Sequence, residues 1–219
     1  MRKHVAATDD ALPLVDKYDA IAPHYSESDY ADAERYYARR AKLVVEHGPH
    51  LNQGASVLDI ACGDGGLGRH LLARGIEYSG VDASERMVEV ARRALGDRVR
   101  TGDFDHEPPN PVDATTIFRA LVLVPDREAF FRKARRFTRK KLVFDFDPRV
   151  RDAAALDGRV LTRELLSAGW KDIRLRPFLI PQRARLPAPV QQLLYALEPL
   201  PGARLLTAIR FPILVSASA

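Results

Sequence analysis

The chain has 219 residues, 46% of them hydrophobic and 29% charged, which favours one α/β domain with an elaboration over two separate domains. Its net charge of +5 is spread along the chain and is weak evidence for nucleic-acid binding. A single cysteine, Cys62, excludes an internal disulfide framework, and no stretch approaches the ~18 apolar residues of a membrane helix. These features predict a cytoplasmic protein without a membrane span.

The N-terminal region is predicted to be helical from Ala11 to His50, because apolar residues recur there every three or four positions. Gly48, Pro49 and Gly54 end this pattern. Five of the seven tyrosines lie in this region. They are Tyr18, Tyr25, Tyr30, Tyr36 and Tyr37.

Beyond residue 55, short apolar runs alternate with amphipathic segments. The predicted strands span residues 56–61, 77–81, 98–101, 114–118, 141–146, 172–178 and 211–216. The predicted helices span residues 67–74, 84–95, 127–137 and 162–168. This alternation indicates a doubly wound, mostly parallel sheet with helices on both faces. Residues 51–219 are therefore predicted to form one α/β domain, in which a proline-rich insertion at 181–210 packs over one end of the sheet.

The segment Val57–Gly68 combines an apolar strand with a glycine-rich turn. Its glycines fit the pattern G-x-G-x-x-G, and Asp82 follows about 20 residues later, so an NAD-binding turn is one interpretation. Asp59, at the end of the strand, argues against this interpretation, because a carboxylate there would repel a pyrophosphate and attract an ammonium group.

S-adenosylmethionine shares the adenosine of NAD, but a methionyl arm with an ammonium, a carboxylate and a sulfonium replaces the pyrophosphate. Asp59 suits this arm, Asp82 suits the ribose hydroxyls, and Asp103 suits the amino group of adenine. Purely structural roles for the same residues are also open. Asp59 and the glycines would then form a simple strand-to-helix turn, Asp82 a helix cap and Asp103 an ordinary turn.

At these positions the sequence resembles the class I S-adenosylmethionine-dependent methyltransferases. The motifs that carry the resemblance are VLDIACGDGG at 57–66, YSGVDASERMVEVAR at 78–92, TGDF at 101–104, VDATTIFRALVLVPD at 112–126 and LTRELLSAGW at 161–170. They resemble, in order, the family's glycine-rich first motif, its ribose-binding strand, its adenine-binding turn, its fourth strand and the helix before its sixth strand. Ala61 and Asp64 replace residues that are more often glycine and Thr or Ser in the family.

The resemblance implies a Rossmann-like, seven-stranded α/β sheet whose last strand is antiparallel. It also implies S-adenosylmethionine as the cofactor, and no residue is assigned to a metal. The implied cofactor contacts are Tyr18, Tyr25, Asp59, Gly63, Gly65, Asp82, Ala83, Met87, Asp103, Phe104 and Arg119. Arg119 stands where Asn, Ser or Ala is more frequent in the family.

The sequence YDAIAPHY, at Tyr18–Tyr25, resembles a segment that folds over the cofactor in many small-molecule methyltransferases. Residues 1–50 are accordingly predicted to form a helical lid, which encloses the methyl acceptor together with the insertion at 181–210. The tyrosines either line this lid or pack its helices onto the sheet. His24 is the candidate general base for a neutral hydroxyl acceptor, and His106 is a weaker candidate. An acceptor that is already anionic needs no base.

The stretch Arg119–Val122 lacks the Asn/Asp-Pro-Pro-Tyr/Phe tetrapeptide of enzymes that methylate amino groups of bases or glutamine. The predicted function is therefore methylation of a small, apolar or aromatic metabolite, with oxygen favoured over carbon or nitrogen. The alternatives are an RNA or protein methyltransferase that uses the basic run at 127–141, an NAD-dependent oxidoreductase and a cofactor-binding regulator without activity. The basic run is interpreted as a solvated helix face, because no aromatic side chains interleave to stack bases.

Overall fold

Seven strands of the described residues form one mostly parallel sheet. The computed structural model describes residues 12–148, 157–200, 202–203 and 211–219. The strands are β1 (Ser56–Ile60), β2 (Glu77–Asp82), β3 (Val99–Thr101), β4 (Val112–Ile117), β5 (Thr138–Phe146), β6 (Lys171–Pro177) and β7 (Ile213–Ser218). Their order is β3-β2-β1-β4-β5-β7-β6, and β7 is antiparallel to both neighbours. The predicted Rossmann-like sheet with an antiparallel last strand is confirmed.

The described helices connect these strands and precede them. They are α1 (Leu12–Ile21), α2 (Tyr25–Asp29), α3 (Ala33–Glu46), α4 (Gly66–Leu72), α5 (Glu85–Leu95), α6 (Arg127–Phe137), α7 (Gly158–Ser167) and α8 (Ala188–Leu197). Side chains cap the N-termini of several of these helices. The Ser84 hydroxyl accepts from the backbone N–H of Met87 at the start of α5, and Asp157 accepts from that of Arg159 in α7. Because of the Asp157 cap, α7 begins four residues before the predicted start at 162.

The sheet separates two apolar cores, because successive strand residues point to opposite faces. In β1, Val57 belongs to the core on the side of α3, α4 and α5, whereas Leu58 belongs to the core on the side of α6 and α7. In β5, Val143 and Phe144 divide in the same way. Helices therefore cover both faces, as the alternation of elements predicted.

Lys141 corrects one prediction. The basic run at 127–141 was interpreted as a solvated helix face. Its last residue, Lys141, instead lies inside the central sheet, where the predicted strand 141–146 also placed it. Its side chain is fully buried and donates to the carbonyl oxygens of Val45 (3.2 Å) and His47 (2.9 Å) at the end of α3. Burial lowers the pKa of Lys141 to about 7.

The N-terminal helices and the proline-rich insertion contact each other. The carboxylate of Asp32, which caps α3, also accepts from Arg185 Nε (3.1 Å). Further along α3, the Arg39 guanidinium lies 4.2 Å from the ring centroid of Tyr195 in α8. Parts of the predicted lid and insertion, at 1–11, 201 and 204–210, lie outside the described residues. Within the described ranges, no helix has the length and apolar character needed to cross a bilayer.

Candidate functional site

The glycine-rich loop between β1 and α4 lies where the chain order of the sheet reverses. From β1 the chain proceeds outward to β2 and β3, and it then returns to place β4 on the other side of β1. Open α/β sheets bind ligands at such a switch point, beyond the carboxyl ends of the strands. Within the loop, Gly65 has a positive φ of 78°, and a Cβ there would approach Leu95 Cδ1 to 2.5 Å. Glycine is therefore required at this position by backbone conformation and by packing.

Asp82, at the end of β2, fixes the loop from the neighbouring strand. Its Oδ2 atom accepts from the backbone N–H of Gly63 (2.7 Å), and its Oδ1 atom accepts from that of Ser84 (3.0 Å). Ala83 between them is exposed. Burial raises the pKa of Asp82, and the carboxylates of Asp19 and Asp64 add to the shift. The structure thus brings Gly63 and Asp82 together, while the role of Asp82 with a ribose stays a prediction.

Asp59 lies beneath this loop and is almost fully buried, with 3% of its surface exposed. It accepts hydrogen bonds from the hydroxyls of Thr116 (2.6 Å) and Tyr78 (3.0 Å). Burial raises its pKa to about 6. The two hydroxyl donors satisfy the Asp59 carboxylate. Asp59 therefore lies below the loop as a hydrogen-bonded acidic group. A role toward a methionyl arm stays a prediction.

Two further carboxylates escaped the sequence analysis. Asp64, within the loop, accepts from the Ser26 hydroxyl of α2 and from the Tyr37 hydroxyl of α3 (3.4 Å). Asp19 of α1 accepts from the Ser84 hydroxyl at the start of α5. Both connect the N-terminal helices to the loop region. In the sequence, Asp64 is notable because Thr or Ser is more frequent at its position in the family that the chain resembles. No local pattern indicates the hydrogen-bond partners of Asp64 or Asp19.

The four carboxylates around the loop, Asp19, Asp59, Asp64 and Asp82, have no ion-pair partner among the described residues. Uncompensated negative charge at a partly buried position favours a cationic ligand and opposes a pyrophosphate. A sulfonium nucleoside with an ammonium group fits this set of carboxylate acceptors. A dinucleotide fits it poorly.

Aromatic side chains from the N-terminal helices divide into two groups. Tyr30, Tyr36 and Tyr37 are at most 5% exposed and pack in the core. Tyr18 and Tyr25 are half-buried, with ring centroids 6.3 Å apart. A Cβ on Gly63 would lie 3.6 Å from the Tyr25 ring, so Tyr25 covers the loop. Both interpretations of the tyrosines therefore apply, each to different residues.

Arg119 follows β4 and faces the same region. Its side chain forms an ion pair with Asp29 at the end of α2 (Nη2 to Oδ2, 3.3 Å), and its guanidinium lies 5.6 Å from the ring centroid of Tyr30. Burial raises the pKa of Tyr18, while the charge of Arg119 lowers it and the charges of Asp29 and Asp82 raise it. We call Tyr18, Tyr25, Asp29, Asp82 and Arg119 the crest cluster.

The buried ion pair of Arg40 and Asp145 holds the backbone of Arg119 in place. The backbone N–H of Arg119 donates to Asp145 Oδ1 (2.7 Å), and Asp145 Oδ2 accepts from Arg40 Nη2 (2.8 Å). The Arg40 and Asp145 side chains are only 4% and 5% exposed. Sequence reasoning missed this pair because the partners lie 105 positions apart. Asp145 does share one signal with Asp59 and Asp82, since it is a carboxylate near the end of a buried strand.

The remaining predicted residues lie around the site with little contact to the crest cluster. Met87 is buried in α5, Phe104 is half-buried, and Asp103 is exposed with its carboxylate accepting from the Asp105 N–H (2.8 Å). His24 has a 77% exposed side chain whose Nδ1 atom lies 3.3 Å from Glu27 Oε2. The His106 Nε2 atom lies 2.8 Å from Arg100 Nη2. The structure does not bring either histidine together with the carboxylates, and their role as a base stays a prediction.

Cys62 is buried, and desolvation raises the pKa of its thiol well above the usual value. A protonated, buried thiol is a small apolar side chain in its effect on packing.

Comparison with known proteins gives consistent matches. A family model described as "Methyltransferase domain" matches residues 57–141. An uncharacterized methyltransferase of Geobacillus sp. (strain WCH70) is 31% identical over 117 residues, which are 52% of this chain and 52% of that protein. A ubiquinone biosynthesis O-methyltransferase of Chromobacterium violaceum is 26% identical over 128 residues, 54% of each chain. The chain spans about half the length of the curated relatives it matches.

A solved structure extends the likeness over the whole fold. Magnesium protoporphyrin IX methyltransferase of Synechocystis PCC 6803, with bound S-adenosylmethionine, aligns with a TM-score of 0.66 at 18% identity, and the alignment covers 98% of this chain and 99% of that one. The sheet order and the glycine loop define a Rossmann-like, class I methyltransferase fold. Residues 57–141 match the methyltransferase-domain model, in agreement with the resemblance found in the sequence.

Proposed function

We propose that the protein transfers a methyl group from S-adenosylmethionine to an oxygen atom of a small, apolar or aromatic acceptor. The observation that carries the proposal is the set of four carboxylates around the glycine loop, which have no ion-pair partner among the described residues. S-adenosylmethionine brings a sulfonium and an ammonium to this negatively charged position, and its methyl group is electrophilic because it is bonded to the sulfonium.

The work of the protein is to bind and orient. Asp82, which accepts from the Gly63 N–H, is the proposed acceptor for the ribose hydroxyls. Tyr25 lies against the loop and excludes water from it, and Asp59 adds negative charge from below. Alignment of a nucleophile with the methyl carbon supplies much of the acceleration in such displacements, on the order of 7 kcal/mol. A rigid loop and a fixed aromatic wall are the features that this requirement favours.

The acceptor class is supported by the aromatic lid and by the named relatives. Tyr18 and Tyr25 offer half-buried rings beside the loop, a surface suited to an aromatic or apolar molecule. The relative in Chromobacterium violaceum is named for oxygen methylation in ubiquinone biosynthesis. An acceptor that ionises at pH 7 needs no base, whereas a neutral hydroxyl would call on His24.

The described contacts of the basic run favour a small-molecule acceptor over the alternative of an RNA or protein methyltransferase. Arg127 pairs with Glu164 in a bidentate geometry (2.7 and 3.0 Å), and Arg132 pairs with Glu128. Lys133 and Arg136 contact Glu107. The basic run is therefore largely neutralised within the chain and offers little free charge to a phosphate backbone.

Calorimetry tests the cofactor, and mass spectrometry tests the acceptor. We expect S-adenosylhomocysteine to bind and NAD not to bind; the reverse result would refute the proposal. Incubating the protein with a methyl-labelled donor and a pool of small metabolites is expected to yield a labelled methyl ether or ester. His24→Gln separates the two classes of oxygen acceptor, because only a neutral hydroxyl depends on a base and would lose turnover with this variant.

A further inference from the structure

Arg119 is held in an unusual backbone conformation. Its φ is 58°, in the left-handed region that long side chains rarely adopt. The carboxylate of Asp145 accepts its N–H at 2.7 Å, and Arg40 in turn neutralises Asp145. Residues from α3, β4 and β5 thus combine to set the direction in which the Arg119 side chain leaves the sheet. Strained, well-supported residues of this kind concentrate at ligand sites.

The guanidinium of Arg119 is only partly used by the described residues. Its side chain is 32% exposed, and its ion pair with Asp29 joins one nitrogen to one oxygen at 3.3 Å. Tight charge-assisted bonds are shorter, about 2.7–2.9 Å, and a guanidinium binds a carboxylate best through two parallel donors. The Asp29 side chain is itself 22% exposed and belongs to the short helix α2. The pair is therefore open to exchange with a second carboxylate.

We propose that Arg119 is a carboxylate-binding residue of the methyltransferase site, and that Asp29 is an internal carboxylate that the ligand displaces. The inference rests on the proposed function, because Arg119 shares the crest cluster with Asp82 beside Gly63. The carboxylate has two sources: the methionyl arm of the donor or an acidic group on the acceptor. The same chemistry serves both, and the experiment below distinguishes them.

A purely structural latch between α2 and the sheet is the competing explanation. A latch requires both partners equally, so removing either Arg119 or Asp29 would loosen the site in the same way. If the ligand displaces Asp29, the two variants have opposite effects, because Asp29 competes with the ligand for Arg119. Removing Asp29 then strengthens ligand binding, whereas removing Arg119 weakens it. The two explanations therefore differ in the sign of the effect of Asp29→Asn on ligand binding.

Calorimetry with two probes tests the proposal. S-adenosylhomocysteine carries the amino-acid carboxylate, and 5′-methylthioadenosine lacks it. We expect Arg119→Met to weaken S-adenosylhomocysteine binding by about 10- to 100-fold and to leave 5′-methylthioadenosine within about 2-fold, since a hydrogen bond to a charged group has this magnitude. Arg119→Lys retains charge without the planar fork and is expected to fall between. Asp29→Asn is expected to tighten S-adenosylhomocysteine binding, and the exposed Arg132→Met serves as the matched control.

Each outcome decides a point. If Arg119→Met spares S-adenosylhomocysteine but removes carboxylate-bearing products from the labelled-methyl reaction, the acceptor is the source of the carboxylate. The proposal is overturned if Arg119→Met changes neither readout while its thermal unfolding matches the wild type, or if Asp29→Asn and Arg119→Met weaken binding equally. Failure of the wild-type protein to bind either nucleoside would instead contradict the proposed function.

Discussion

Replacing Asp145 with asparagine is expected to destabilise the protein by about 3 kcal/mol. The change leaves the Arg40 guanidinium, whose side chain is 4% exposed, without its anionic partner. Breaking a buried ion pair on one side costs about 3–5 kcal/mol. The lower end applies here because Arg40 keeps its hydrogen bond to the Tyr36 hydroxyl (3.1 Å) and its stacking on Phe118 (4.3 Å to the centroid). The asparagine oxygen can still accept the Arg119 N–H.

Thermal and urea unfolding measure this loss. In a chain of this size, each kcal/mol shifts Tm by about 2–4 °C, so a loss of about 3 kcal/mol lowers it by about 6–12 °C. The exposed Asp105→Asn, which also removes a carboxylate from an ion pair, is the matched control and is expected to leave Tm nearly unchanged.

A double-mutant cycle isolates the pair from its surroundings. Arg40→Met keeps apolar volume between Phe118 and Tyr36, so the double variant with Asp145→Asn buries no unpaired charge. We expect the double variant to be more stable than the sum of the two single losses by about 2 kcal/mol or more. Losses that add within about 0.5 kcal/mol, or a single loss of Asp145→Asn below about 1 kcal/mol, would refute the reasoning.

Three further predictions concern the cofactor site, pH and nucleic acid. Asp82→Ala is expected to weaken S-adenosylhomocysteine binding at least about 10-fold in calorimetry, because a charged acceptor is lost. Lys141 binds fewer protons folded, with a pKa of about 7, than unfolded, near 10.4, so stability should rise between pH 7 and 9, by at most about 2.7 kcal/mol. Tm of Lys141→Met should lack this rise. In a gel-shift assay at ~50 mM salt, the protein should leave the mobility of a labelled RNA unchanged.

The controls for these three predictions follow from the described contacts. For Asp82→Ala, the exposed Asp97→Ala shows whether a general loss of negative charge matters, and normal binding by Asp82→Ala would remove the ribose assignment. For Lys141, the comparison of the wild type with Lys141→Met cancels the contribution of groups that titrate alike in both proteins. Burial lowers the pKa of His47 to about 4, so His47 titrates below the range of pH 7 to 9. Equal Tm rises in wild type and Lys141→Met would contradict the burial argument. A salt-sensitive gel shift would restore the RNA alternative.

Local patterns predicted most of the fold. All seven strands lie where apolar runs indicated them, and the bounds of α6 match the predicted helix at 127–137. Errors concern boundaries that depend on neighbours: β5 begins three residues before the predicted 141, and β7 lies two residues later than the predicted 211–216. Pairing with adjacent strands sets these limits, with Thr138 of β5 opposite Val112 of β4 and Lys141 of β5 opposite Ser218 of β7. No pattern within either segment reports that register.

The site was predictable where its residues follow strand ends. Gly63, Gly65 and Asp82 were identified because glycines and a carboxylate at the carboxyl ends of neighbouring parallel strands must meet at one edge of the sheet. His24 was predicted from its place in the lid-like segment and from the basicity of histidine near pH 7, and the structure places it on an exposed surface. The difference has a physical cause. Strand ends are fixed by the sheet, whereas the direction of a side chain in a short helical segment depends on how that segment docks.

The amino-acid sequence by itself determined the class of fold, the position of the glycine loop and the acidic character of the candidate cofactor site, since periodicity and strand-end chemistry act over a few residues. Only the tertiary structure decided which charges meet: Arg40 with Asp145, Arg119 with Asp29, and Lys141 with the carbonyls that end α3. The strength of an ion pair depends on distance and burial, and both are set by elements that lie far apart along the chain.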